Sequence, residues 1–185
     1  MIEIISGTNR PDSNTRKIAG RIEAIYHGLD VKNHLLDLAT MPQEIFAPSS
    51  YADKPTAFLK FTDAILAADG LVVVTPEYNG GMPGVLKYFI DMLPFPESFE
   101  HRPVCFVGLA AGMWGALRPV EQLQAIFGYR NALIFPERVF MPGIGNSLDA
   151  TGQFTNPDIP PRLEKQAAGF VGFVEKLKGK QLRKH

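Results

Sequence analysis

The sequence predicts an α/β fold, a doubly wound sheet of five parallel strands in the order 2-1-3-4-5 with helices on both faces. Short apolar runs alternate with helix-period segments along the whole length, which implies parallel strands joined by right-handed crossovers. The run Leu71-Val72-Val73-Val74 is β-branched and apolar on both sides, as a central strand covered on both faces must be. The length of 185 residues suits one core, since single domains commonly run to about 100–200 residues. No internal repeat or low-complexity linker interrupts it, so residues 1–185 are expected to form one domain.

The elements follow in order. Ile2 to Ile5 makes a brief first strand, and Ile18, Ala19, Ile22, Ile25 and Tyr26 then fall on one helical face. Val31 to Leu36 gives the second strand. The Pro/Ser-rich stretch from Met41 to Pro55 reads as a long connection to a helix carrying Phe58, Phe61, Ile65 and Leu66. After the third strand, Val85, Leu86, Phe89, Ile90 and Leu93 mark a helix with Pro83 in its first turn. Val104 to Leu109 is the fourth strand, followed by a helix with Leu117, Val120, Leu123 and Phe127. A short fifth strand is expected over Ala132 to Phe135. The last helix carries Leu163, Ala167, Phe170, Val171, Val174 and Leu177, and its basic end includes Lys176, Lys178, Lys180, Arg183 and Lys184. Such an end suits a helix C-terminus and a solvated tail.

Composition narrows the function. The formal net charge is zero, which argues against a general nucleic-acid binder. No apolar stretch approaches the roughly 20 residues of a membrane span, and the start lacks the pattern of an export signal. The lone Cys105 cannot form an internal disulfide, so a reducing cytoplasm is expected. The histidines, His27, His34, His101 and His185, show no metal-ligand spacing.

In a sheet of this order, ligands bind beyond the carboxyl ends of the strands near the switch between strands 1 and 3. Three loops fall there. The first, Ser6-Gly7-Thr8-Asn9-Arg10-Pro11-Asp12-Ser13-Asn14-Thr15, follows a strand and opens a helix. Its amides gather at the positive end of the helix dipole. Thr8, Ser13 and Thr15 add hydroxyls and Arg10 a charged fork suited to phosphate, while Ser13 or Asn14 can also cap the helix. The pattern is neither GxxxxGK[ST] nor GxGxxG, so a monophosphate ester bound without metal is the better match. The second loop, Thr75 to Gly84, holds two prolines and three glycines beside Tyr78. Tyr78 either stacks on a planar ligand or sits on the surface of an ordinary turn. The third, Ala110 to Ala116, contains Gly112 and Gly115 and the single Trp114, which packs in the core or borders a pocket or interface.

These loops resemble the NADPH-dependent FMN reductase family, whose members include chromate-, quinone- and azo-dye-reducing enzymes. Gly7-Thr8-Asn9-Arg10-Pro11-Asp12-Ser13-Asn14 fits the first family motif, roughly GSxRxxSxN, with threonine in place of the first serine and Asn14 one place ahead of the motif's asparagine. Pro76-Glu77-Tyr78-Asn79-Gly80-Gly81-Met82-Pro83-Gly84-Val85-Leu86-Lys87-Tyr88-Phe89-Ile90-Asp91 fits the second, PEYNGSxPGxLKNAID. In the third loop Gly112, Gly115 and Arg118 fit, whereas Met113 and Trp114 depart from the pattern. The resemblance implies a flavodoxin-like fold that binds FMN. Thr8, Arg10, Ser13, Asn14 and Thr15 would hold the phosphate. Pro76, Glu77, Tyr78, Asn79, Gly80 and Gly81 would line the ring and ribityl, and Gly112 would approach the ring.

The activity implied is hydride transfer from NADPH or NADH through FMN to flavin, quinone or a similar small-molecule acceptor, in alternation at one site. That chemistry belongs to the cofactors, so no catalytic side chain is expected. Amides of Asn79 and Gly80 are candidates to stabilise charge at the flavin edge. The rival from another class is a flavodoxin-type electron carrier, against which stand the neutral charge and Arg10. The resemblance also implies a homodimer or homotetramer. Phe95 and Phe99, in a proline-broken stretch after the third helix, are expected to project near the ligand edge and serve that contact.

Overall fold

The computed structural model describes residues 1–149 and 152–181. The elements are β1 (Ile2–Ser6), α1 (Asn14–Gly28), β2 (Asn33–Asp37), α2 (Leu59–Ala67), β3 (Gly70–Pro76), α3 (Gly84–Met92), β4 (Pro103–Leu109), α4 (Leu117–Tyr129), β5 (Leu133–Met141) and α5 (Ile159–Gln181). All neighbouring strands pair in parallel, in the order β2-β1-β3-β4-β5. This is the flavodoxin-like arrangement expected from the sequence.

Period-two alternation explains how β3 serves two cores at once. Leu71 and Val73 join the cluster under α2, α3 and α4, whereas Val72 and Val74 join the one under α1 and α5. Every residue of β1, β3 and β4 is buried. Phe58, Phe61 and Phe89 pack edge and face on one side of the sheet, and Tyr26 and Phe170 fill the other. Full burial of each such side chain stabilises the fold by about 1.5–3 kcal/mol. Cys105 lies in the α1/α5 core, and burial pushes its thiol far above the usual range.

Several boundaries differ from the expectation. The connection from 41 to 55 is organised into short 3-10 turns, Gln43–Phe46 and Pro48–Tyr51, anchored by the buried Ile45. The fifth strand is longer than Ala132 to Phe135 because a register shift lets the chain resume pairing beyond Pro136. Val104 pairs with Ile134, but Phe106 pairs with Arg138. Proline cannot donate to a ladder and is tolerated at an edge or a bulge, and β5 is an edge strand. Arg183, Lys184 and His185 lie outside the described residues.

The placement expected for Phe95 and Phe99 is corrected. Helix α3 leaves the carboxyl end of β3 and runs back along the sheet, so the segment after it reaches the opposite edge. There Arg102 donates to the carbonyls of Ala68 and Ser98, just before β3 begins. Phe99 is 1% exposed and meets Phe127 of α4 at 4.7 Å between ring centroids. Phe95 remains exposed, with the guanidinium of Arg130 4.7 Å from its ring centre. Neither ring stands beside the ligand edge.

Candidate functional site

The loops after β1, β3 and β4 meet at the carboxyl edge, and the closeness of the first two is set by a glycine. The N–H of Gly7 donates to the Val74 carbonyl at 2.8 Å. A Cβ at Gly7 would stand 2.7 Å from that same oxygen and 3.0 Å from Leu86 Cδ2. Only glycine lets the loop settle directly on β3.

Beyond Gly7 the loop turns over a buried hydroxyl. Thr8 is fully buried, its Oγ1 lies 2.9 Å from the Tyr78 hydroxyl, and it accepts from the N–H of Arg10 at 3.2 Å. Thr8 therefore stands behind the cleft wall and ties the first loop to the second. Tyr78 is fixed at its hydroxyl end by the same contact. Ser13 caps α1, its Oγ accepting from the N–H of Arg16 at 3.1 Å. The next amides in the first turn, those of Asn14 and Thr15, have no helical acceptor and point out of the helix end. That end carries the positive pole of the dipole.

The second loop is a two-residue hairpin closed on itself. The N–H of Tyr78 donates to Gly81 at 2.9 Å and the N–H of Gly81 returns to Tyr78 at 3.0 Å. Asn79 has φ 51° and Gly80 φ 76°, the paired left-handed conformations that asparagine and glycine adopt in a type I′ turn. Helix α4 holds this hairpin from one side. Met82 N–H donates to Gln122 Oε1 at 3.0 Å, and Arg118 Nη1 donates to Glu77 Oε1 at 3.1 Å. Glu77 Oε2 is buried and has no hydrogen-bond partner among the described residues.

Between the loops lies a cleft of about 550 Å³, within the usual size for a cofactor site. Arg10, Ser13, Asn14 and Thr15 line it from the first loop, and Pro76, Glu77 and Tyr78 from the second. The remaining lining comes from Pro11 and Asp12 of the first loop, from Leu109 at the end of β4 with Ala110 and Ala111 after it, and from Ile144 and Gly145 after β5. Asn79, Gly80, Gly81 and Gly112 are not part of that lining. The contribution of Ile144 and Gly145 was missed. Its signal was a glycine-containing stretch, Gly143-Ile144-Gly145, but the early end expected for β5 moved it away from the ligand edge. Trp114 is 53% exposed and outside the core.

The arrangement joins a helix start suited to an anion and an exposed arginine, Arg10, to a slot beside an anchored tyrosine. It suits a flat ligand with one phosphate. The NADPH-dependent FMN reductase family matches residues 1–146. An NAD(P)H-dependent FMN reductase of Pseudomonas aeruginosa is 30% identical over 181 residues, 95% of each chain. A quinone reductase of Escherichia coli is 32% identical over 128 residues, 67% of this chain and 68% of that protein. Among solved structures, a flavoenzyme NAD(P)H:(acceptor) oxidoreductase from Paracoccus denitrificans superposes with a TM-score of 0.79 at 24% identity, covering 95% of this chain and 97% of that one.

Proposed function

Because the chain belongs to the NADPH-dependent FMN reductase family, we propose that the cleft at its carboxyl edge holds FMN and that NADPH or NADH reduces a quinone or free flavin there by a ping-pong route. The enzyme class is that of an NAD(P)H-dependent FMN or quinone reductase, in keeping with its relatives. One observation carries the site assignment: Arg10, Asn14 and Thr15, at the start of α1, line the same cleft as Pro76, Glu77 and Tyr78.

The residues fit the cofactor. The first turn of α1 offers unpaired donors to one phosphate, Arg10 adds a charge-assisted bond, and Ser13 keeps the helix end in place as its cap. Pro76, Glu77 and Tyr78 border the space for the ring and ribityl chain. Asn79, Gly80 and Gly81 shape that wall through their hairpin, and Thr8 sets the spacing of the two loops through Tyr78. When bound, FMN supplies hydride acceptance from nicotinamide and electron donation to the second substrate. The protein's part is orientation, and no side chain is assigned a proton transfer.

The second substrate is a small planar acceptor, and its setting is cytoplasmic, consistent with the buried free thiol of Cys105. The working unit is a homodimer or homotetramer. Exposed aromatics near the ligand edge support it, Phe46, which shares a cavity wall with Asn9 of the first loop, and Trp114 of the third loop, whereas Phe99 is buried. Purified protein should show a flavin absorption band and oxidise NADPH or NADH with a quinone, giving parallel initial-rate plots at varied acceptor concentration. Flavin bound without nicotinamide oxidation for any acceptor points instead to an electron carrier. A scattering mass near 20.4 kDa defeats the assembly.

A further inference from the structure

Helix α4 touches the proposed flavin site through a charge pair whose two members differ in exposure. Glu77 lines the cleft, and its side chain is 13% exposed. Arg118, near the start of α4, is 54% exposed and bonds only one of the two carboxylate oxygens, at 3.1 Å. The other oxygen is buried and has no hydrogen-bond partner among the described residues. The other charged residues of the lining, Arg10 and Asp12, belong to the first loop. Glu77 is thus the charge that the second loop brings to the cleft, and Arg118 is its counter-ion.

We propose that Arg118 is a positioning residue that sets how tightly the site holds reduced flavin relative to oxidised flavin, by neutralising Glu77. This rests on the reading of the cleft as the FMN site. Hydride delivers two electrons and one proton together, so flavin gains one negative charge when nicotinamide becomes its oxidised cation. An uncompensated Glu77 carboxylate opposes that added charge and leaves oxidised flavin nearly untouched. A carboxylate shielded from water acts over several ångströms, since the effective dielectric near a protein surface is far below that of water. A structural role alone predicts something different. The hairpin is also held by Gln122 on Met82 N–H and by its own Tyr78–Gly81 bonds, so it keeps its shape without Arg118. Any loosening that follows should weaken both flavin states alike.

The test uses the full chain loaded with FMN and four variants: Arg118→Gln, Arg118→Lys, Glu77→Gln and the double Arg118→Gln/Glu77→Gln. Anaerobic titration measures the dissociation constants of oxidised and reduced FMN, and dye equilibration measures the two-electron potential. Arg118→Gln should weaken reduced FMN about tenfold more than oxidised FMN, the size expected for one unscreened unit charge nearby. That corresponds to a potential lower by about 30 mV. Arg118→Lys keeps the charge and should stay near the wild-type potential, as should the double variant, which removes both charges. Equal weakening of both flavin states in Arg118→Gln, or a double variant as low in potential as Arg118→Gln, overturns the proposal. If Arg118→Gln fails to fold, Glu77→Gln decides alone: it leaves the Arg118 charge uncompensated and should raise the potential, and an unchanged or lower potential refutes the charge argument. A wild-type chain that binds no flavin at all overturns the underlying site assignment, a distinct and immediately visible result.

Discussion

Replacing Gly7 by alanine tests whether close docking of the first loop on β3 builds the site. The added Cβ would lie 2.7 Å from the Val74 carbonyl oxygen, where ordinary contact begins at 3.4 Å, so a gap of 0.7 Å (3.4 minus 2.7) must open. The obstacle is backbone in a central strand, and the next atom, Leu86 Cδ2 at 3.0 Å, belongs to a buried side chain. Neither yields easily. Overpacking of this kind costs about 1–3 kcal/mol, or roughly 3–9 °C in melting temperature at about 3 °C per kcal/mol for a domain of this size. The movement also lengthens the 2.8 Å bond from Gly7 N–H to Val74 and displaces the first loop from Tyr78. FMN affinity should then fall by about tenfold, the equivalent of one weakened charge-assisted bond. Gly112→Ala is the control, because a Cβ there meets nothing within 4 Å. It should change stability by less than about 0.5 kcal/mol. Thermal unfolding and flavin titration of both variants supply the data. A Gly7→Ala protein as stable and as tight-binding as the control would refute the docking argument.

Other perturbations separate the roles of neighbouring residues. Arg10→Ala should weaken FMN by roughly ten- to a hundredfold, from the loss of about 1.5–3 kcal/mol; fluorescence titration with no change removes the phosphate assignment. Tyr78→Phe deletes the bond to Thr8 and should cost about 1 kcal/mol in urea unfolding, with the loss abolished in a Thr8→Val background. In β1, burial pushes the Glu3 carboxyl above its usual range, and the bond and charge of His34 offset this only in part. A carboxyl raised by folding contributes stability below its unfolded value, near pH 4.3, and that contribution is lost as pH rises through the folded value. Glu3→Met should therefore melt above wild type at pH 8, with the advantage shrinking toward pH 4. A difference that is constant with pH excludes Glu3 as the cause.

Much of the fold was legible because each central strand announces itself by composition. Leu71 to Val74 is apolar on both faces and rich in valine, the composition of a strand covered on both sides. The edge strand β5 was harder. Its apolar run breaks at Pro136-Glu137-Arg138, and only the structure reveals that pairing resumes after the shift. At the site, chemistry-bearing residues were legible by type but not by direction. Arg10, Ser13 and Tyr78 do line the cleft, yet Thr8 faces inward to Tyr78, a contact made across 70 positions of chain. The helix direction after β3 decided the fate of Phe95 and Phe99. Two prolines announced a break in α3 but said nothing of the edge to which the chain had been carried.

The irregularity in β5 has a further effect, on how copies of this protein meet. An outermost strand ordinarily offers a row of free amides and carbonyls to any passing chain. Here the row is interrupted. Pro136 has no N–H to offer, the shift skews the ladder, and Pro136, Glu137 and Arg138 are all exposed. A second sheet cannot add on in register across that stretch, and charged side chains discourage it from trying. Growth of ribbons through β5 is thereby disfavoured. Any contact made at that flank falls to helices and loops instead of the strand.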